Sequence, residues 1–149
     1  MSNGLNEELL DSLTVHSRLE ELQAIRAFIA QAAGRFGFSD IDCNKIQLAV
    51  DEACSNIIRH AYNQDSNEDL KISIIKTALG SERRFTVLID DNGKSYDILT
   101  HKIPDMKDYI EREHKKGGLG IKIIRMVMDE IHYQTDAGSN RLILTKILR

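Results

Sequence analysis

The sequence predicts a two-layer α+β sandwich, with helices covering one face of a mixed, mainly antiparallel sheet. Helical and strand-like stretches alternate in the order β-α-α-β-β-loop-α-β-β. The later strands come in neighbouring pairs joined by short polar turns, as antiparallel partners are. At 149 residues, 42% of them hydrophobic, the chain is expected to form one domain over residues 1–149 with a core of its own.

The first element is a short strand around Leu9 to Val15. Ser17-Arg18-Leu19-Glu20 then has the pattern of a capping box. It opens an amphipathic helix through Phe36, with Leu19, Leu22, Ile25, Ile29 and Ala33 on one face, and Gly37 stops it. Ser39 or Asp40 caps a second helix running to about Tyr62, whose apolar stripe is Ile46, Val50, Ala53, Ile57 and Ala61. Asn56 and His60 fall at the margin of that stripe, and Glu52 lies just beyond it. Asp51, Ser55 and Arg59 point further round, toward solvent.

NQDSNED reads as a polar turn, LKISIIKTAL as an alternating strand, LGSERR as a turn and RFTVLID as the next strand. Residues 98 to 116 hold Pro104 and mixed charge without strong periodicity, and read as a mobile loop with room for one helical turn. GGLG opens the apolar helix IKIIRMVMDE. The strands IHYQTD and RLILTKIL follow, joined at AGSN.

Composition narrows the function classes. A net charge of −3 and a pI near 5.9 give no reason to expect nucleic acid or an anionic membrane as partner. The opening MSNGLNEELLDSL has no basic segment, so a signal peptide is not expected, and no apolar run approaches the roughly 18 residues of a membrane span. Cys43 and Cys54, on one helix, would lie about 16 Å apart, too far for a disulfide. Separate thiols point to a reducing compartment and a cytoplasmic location. No His/Cys cluster has zinc-ligand spacing.

Each of three motifs has a plain and a chemical reading. Glu52, Asn56 and His60 stack on one flank of their helix. They form either a solvated edge or, at Glu52 and Asn56, a carboxylate and an amide oxygen aimed at one volume, suited to Mg2+ or to general-base work. Asp91-Asn92-Gly93 is either a hairpin turn or a buried acceptor followed by a glycine that admits a flat ligand. Alternation sends one of Asp90 and Asp91 inward and the other out. Gly117-Gly118-Leu119-Gly120 either gives a helix a tight entry or brings backbone N–H groups and the helix dipole against phosphate, with Lys115 and Lys116 adding positive charge. It is not a Walker A loop.

A Glu-x-x-x-Asn helix, a strand ending in Asp-x-Gly, a loop and Gly-Gly-x-Gly opening a helix resemble, in that order, the GHKL ATPase superfamily with its Bergerat nucleotide-binding fold. Within it the chain is similar to the small bacterial anti-sigma-factor serine/threonine kinases. The likeness covers nearly the whole chain and includes the phrase GGLGI-x-I-I. It implies ATP or ADP with Mg2+ as ligands. Asn56 would ligate the metal through its side-chain oxygen. Glu52 would act as base, or hold the water or hydroxyl that attacks the γ-phosphate. Asp91 would accept a hydrogen bond from the adenine amino group, and Gly93 would let the ring approach. Gly118 and Gly120, within the Gly117 to Gly120 turn, would present N–H groups to the phosphates. Residues 98 to 116 would form the ATP lid, with Lys115 or Lys116 reaching the terminal phosphates.

The chain departs from the family pattern in places. Gly93-Lys94-Ser95 stands where Gly-x-Gly is common, although Tyr96-Asp97 keeps the usual aromatic-acid pair. Gly138-Ser139-Asn140 stands where a Gly-Thr often meets phosphate, so Ser139 or Asn140 makes that contact or it is lost. Lys115 and Lys116 stand where some lids carry Glu-Arg, and Glu111-Arg112 lies a few residues earlier. The resemblance implies a protein that binds a sigma factor, phosphorylates a serine on a small anti-sigma-factor antagonist and forms a homodimer. The alternatives are a nucleotide-binding regulatory module without phosphotransfer, the catalytic part of a two-component histidine kinase, and a structural domain in which all three motifs are turns and edges.

Overall fold

The structure, a computed structural model, describes residues 5–60, 65–93 and 118–149. Strand β1 spans Leu5–Arg18 and β2 spans Asp65–Leu79, paired antiparallel from Leu5↔Leu79 to Arg18↔Asp65 with register shifts at Leu9/Asp11 and His16/Arg18. Both strands are longer than the alternation of side chains predicts. Backbone pairing needs no apolar pattern, so β1 draws residues 65–69 of the expected NQDSNED turn into the sheet.

The same pairing overturns the expected capping box. Ser17 stays in β1, fully buried, and its hydroxyl has no hydrogen-bond partner among the described residues. The chain turns one residue later, through a 3-10 turn at Leu19–Glu21 whose preceding Arg18 makes no side-chain cap, into α1, Leu22–Phe36. The buried face of α1 is Ile25, Ile29, Ala32, Ala33 and Phe36. It ends as expected at Gly37, whose φ of 118° lets Gly37 N–H donate to Gly34 O (3.1 Å) and Phe38 N–H to Ala33 O (3.2 Å), the paired bonds of a Schellman ending.

Helix α2 is Asp40–His60. Ser39 is the side chain that caps it, accepting the Asp42 N–H at 3.2 Å. Strand β3 is Glu82–Asp91, α3 is Gly118–Val127, β4 is Glu130–Asp136 and β5 is Ser139–Leu148. Helix α3 therefore begins inside GGLG and stops before Asp129 and Glu130. The AGSN turn contracts to Ala137 and Gly138, both at positive φ (49° and 88°), the conformation of a two-residue hairpin loop. Ser139 and Asn140 are consequently strand residues.

The five strands run in the order β1-β2-β3-β5-β4, and every pairing is antiparallel, so the parallel component allowed for in a mixed sheet is absent among the described residues. Alternate residues Leu70, Ile72 and Ile74 of β2, Phe85, Val87 and Ile89 of β3, and Leu142 and Leu144 of β5 join the helices in one core. The opposite parity is largely polar: Lys71, Ser73, Arg84, Thr86, Asp90 and Arg141. Helix α2 packs between α1 and α3. Phe36, Phe38 and Phe85 form an aromatic cluster with ring centroids 5.2–5.5 Å apart. Cys43 and Cys54 are free and buried, and burial pushes the Cys54 thiol well above its ordinary value, making it inert. No helix among the described residues is long and apolar enough to cross a membrane.

A side chain at position 37 would meet Leu148 Cδ2 at 3.4 Å in a backbone conformation that L-residues avoid. Gly37→Ala is expected to lower stability by about 1 kcal/mol, read as a reduced urea midpoint with an unchanged denaturant slope.

Candidate functional site

Helix α2 carries more polar burial than one apolar stripe allows. Asn56 is only 3% exposed, and Ser55, expected to face solvent, is 4% exposed. The cause is tertiary: with α1 on one side, α3 on the other and the sheet beneath, α2 is covered over most of its circumference. Ser55 meets this burial by donating its hydroxyl to Glu52 O at 3.1 Å. Asp51, also expected to face solvent, is half-buried and accepts from Arg26 of α1 at 2.8 Å. Arg59 is exposed as expected. The His60 side chain and Ala61 lie outside the described residues.

Asn56 is unlike its neighbours. Its Nδ2 is buried without a hydrogen-bond partner among the described residues. Leaving such a group unmatched costs about 1–3 kcal/mol. A buried amide left incomplete by the protein is a mark of a site that a ligand or ion completes. No group of three or more His, Cys, Asp or Glu side chains among the described residues forms a metal cage. The unmatched atom is an N–H donor, which an acceptor would complete, and the amide oxygen at the other end is the kind of ligand that a hard cation such as Mg2+ takes.

One turn earlier, Glu52 leans on the first turn of α3. A β-carbon on Gly120 would collide with the Glu52 carboxylate and lie 3.1 Å from its Cδ. Gly120 is thus needed for space as much as for any backbone contact: it lets a carboxylate rest against a helix N-terminus. Burial raises the Glu52 carboxyl above its ordinary value of 4.5, Asp51 adds to the rise and Arg59 opposes it. Helix α3 begins at Gly118, with Leu119 and Gly120 in its first turn. Gly117, Lys115, Lys116 and the expected lid at 98 to 116 lie outside the described residues.

The second cluster is built by β3 and β5. Asp91 closes β3 and is paired on both sides, with Leu70 of β2 and Asn140 of β5. Both edges of β3 are occupied up to this residue, so Asp91-Asn92-Gly93 is not a hairpin loop between adjacent strands. Asp91 is 5% exposed and turns to the helix face. Asp90 takes the other face, held bidentate by Arg141 at 2.6 and 3.1 Å, as alternation predicts. The Asp91 Oδ1 accepts from Gly93 N–H and from Asn140 Nδ2, both at 2.9 Å. Among the described residues Oδ2 takes no donor.

Burial raises the Asp91 carboxyl above its ordinary value of 3.8, the bonds from Asn140 and Gly93 pull it back, and Asp90 adds to the rise. Asn140 and Ser139, expected either to meet phosphate or to lose that contact, are both engaged with this turn: Ser139 Oγ donates to Asn92 Oδ1 at 3.3 Å. Thr135 of β4, which no motif singled out, donates to Asn140 Oδ1 at 2.8 Å. A groove of about 470 Å3 opens beside the cluster, lined by Thr14, Asp69, Lys71, Asp90, Gln134 and Arg141 among others.

The site residues thus fall into two groups. Glu52 of α2 lies against Gly120 of α3 with Asn56 buried one turn further along α2, and Asp91, Gly93 and Asn140 meet where β3 ends. Helix α2 touches both α3 and β3.

Comparison with known proteins places both groups in one matched region. The model of the histidine kinase-like ATPase domain matches residues 15–146. The chain is 31% identical over 140 residues to the serine-protein kinase RsbW of Bacillus thuringiensis (strain Al Hakam), covering 92% of this chain and 84% of that one. Proteins of the same name from Bacillus cereus (strain 03BB102) and Bacillus anthracis match with the same identity and coverage.

A carboxyl raised in the folded state favours folding while protonated, and that contribution is lost as pH rises through the folded value. Asp91 is thus a cost to the ligand-free protein at neutral pH. Asp91→Asn, which keeps an acceptor for Gly93 and Asn140, is expected to leave the thermal midpoint at pH 7 unchanged or higher. A fall of several degrees in calorimetry would show that the fold needs the charge.

Proposed function

Because the chain belongs to the histidine kinase-like ATPase family, we propose that it binds Mg-ATP and acts as a serine/threonine protein kinase of the anti-sigma type. Its domain spans residues 1–149. The observation that supports this reading most is the contact between Glu52 and Gly120, a carboxylate of raised pKa held at the first turn of a helix whose free N–H groups suit phosphate.

In this reading the adenine amino group donates to Asp91, whose Oδ2 is left as an acceptor, and Gly93 lets the ring lie against the backbone. The phosphates reach the N–H groups of Gly118 and Gly120, and Lys115, Lys116, Gly117 and Leu119 are further phosphate-binding residues that the family resemblance implies. Asn56 would hold Mg2+ through its side-chain oxygen, and the ion would supply neutralisation of phosphate charge. Glu52 accepts the proton of a serine hydroxyl, or orients it, as that oxygen bonds to the γ-phosphorus and the bond to the ADP oxygen breaks. A raised pKa favours this work, since a stronger base takes the proton more readily.

The serine belongs to a small anti-sigma-factor antagonist, and a sigma factor is the protein sequestered. The relatives' name, serine-protein kinase, supports the choice of acceptor residue. A homodimer and a cytoplasmic location complete the proposal.

Mg-ATP at 100 times its Kd is expected to stabilise the protein by about 2.7 kcal/mol, seen as a concentration-dependent rise in thermal midpoint. No rise at millimolar ATP would sink the nucleotide reading. Glu52→Gln is expected to keep this rise and lose transfer of labelled phosphate, whereas unchanged transfer would remove Glu52 as base. Because Glu52 must be ionised to accept a proton and its pKa is raised, the acid limb of the transfer rate should lie above pH 4.5. A limb at or below that value would contradict the assignment.

A further inference from the structure

We infer that Asn140 is a positioning residue for the acceptor of Asp91, and that Thr135 braces the oxygen end of its amide. This rests on the nucleotide reading above and says how this chain holds the group that discriminates the base.

The residues lie in one row across the sheet. Pairing sets Leu70 opposite Asp91, Asp91 opposite Asn140 and Asn140 opposite Thr135, so three polar side chains on adjacent strands share the helix face. An asparagine amide has one oxygen and one nitrogen end. Thr135 donates its hydroxyl to the oxygen end at 2.8 Å. The nitrogen end then has two acceptors within reach, Asp91 Oδ1 at 2.9 Å and Gly93 O at 3.0 Å, and it donates to both. With the amide reversed, its oxygen would face a carboxylate and a carbonyl with no hydrogen between them. The contacts therefore permit one orientation.

That orientation decides what Asp91 offers a ligand. The two N–H donors, from Asn140 and Gly93, both go to Oδ1. Turning the carboxylate out of this plane would break both bonds. Oδ2 is thereby kept as a fixed acceptor, and the turn at 91–93 is tied to β5 through Gly93 O. An acceptor with no proton of its own selects a base edge that carries an N–H, the amino group of adenine.

The test compares Mg-ATP with Mg-purine riboside triphosphate, which lacks only the 6-amino group, by calorimetric titration of the whole chain. The wild-type protein is expected to prefer ATP roughly tenfold or more. Asn140→Ala should lower that preference toward one, mostly by weakening ATP. Thr135→Val should act in the same direction with smaller size. Asn140→Thr should return part of the preference, since its hydroxyl donates to Asp91 but not also to Gly93 O.

A residue that merely supports the fold would weaken both nucleotides by one factor, and that result for Asn140→Ala and Thr135→Val would overturn the inference. Should Asn140→Ala fail to fold, Thr135→Val and Asn140→Thr carry the same comparison. Wild-type protein that binds neither nucleotide overturns the nucleotide reading and this inference with it. Wild-type preference that survives in the variants overturns this inference alone.

Discussion

A carboxylate buried at the end of a strand hydrogen-bonded on both edges sets the terms for one end of this sandwich. Asp91 is 5% exposed, and burial alone drives its carboxyl toward the protonated form. Bonds from the next turn and the adjacent strand oppose this, which is why Gly93 must follow closely and Asn140 must face inward. The alternation of β5 then puts Arg141 on the other face, where it neutralises Asp90. One buried acceptor thus ties a turn to the adjacent strand.

The other end of the site obeys a spatial constraint. Helix α2 lies between α1 and α3, and the first turn of α3 approaches it so closely that Gly120 cannot bear a side chain without displacing Glu52. This close approach desolvates Glu52 and raises its pKa. It belongs to the same covering of α2 that encloses Asn56 with one amide end unmatched. Both features are costs to the ligand-free protein. Unmatched polar groups kept against their cost are a recurrent property of functional sites.

Much of the fold was legible in order and type. Period-two alternation marked β2 through Leu70, Ile72 and Ile74, and Gly37 and Ser39 marked the boundary between α1 and α2. The boundaries that failed were those set by a partner strand. Ser17 matched a capping box by residue type, yet pairing of β1 with β2 held it extended. Residues 65–69 had turn composition, but β1 offered their backbone a ladder. Ser55 and Asn56 were placed by one apolar stripe, which assumes one buried face, whereas α2 is covered from three directions. Thr135 carried no local signal, because its role exists only across two strand registers.

By itself the sequence determined which residue types could do the chemistry and on which element each sits. Helical spacing stacked Glu52 on Asn56, strand parity sent Asp91 inward and Asp90 out, and glycines opened α3. These are local consequences of backbone geometry, and the chain alone dictates them. Tertiary structure decided what those groups became. Only the close packing of α3 on α2 made Gly120 a place for a carboxylate. Only the register of β3, β5 and β4 joined Asp91, Asn140 and Thr135 into one row. Contacts between residues dozens of positions apart leave no periodic trace, and they are also what shifts a pKa or fixes the direction of an amide.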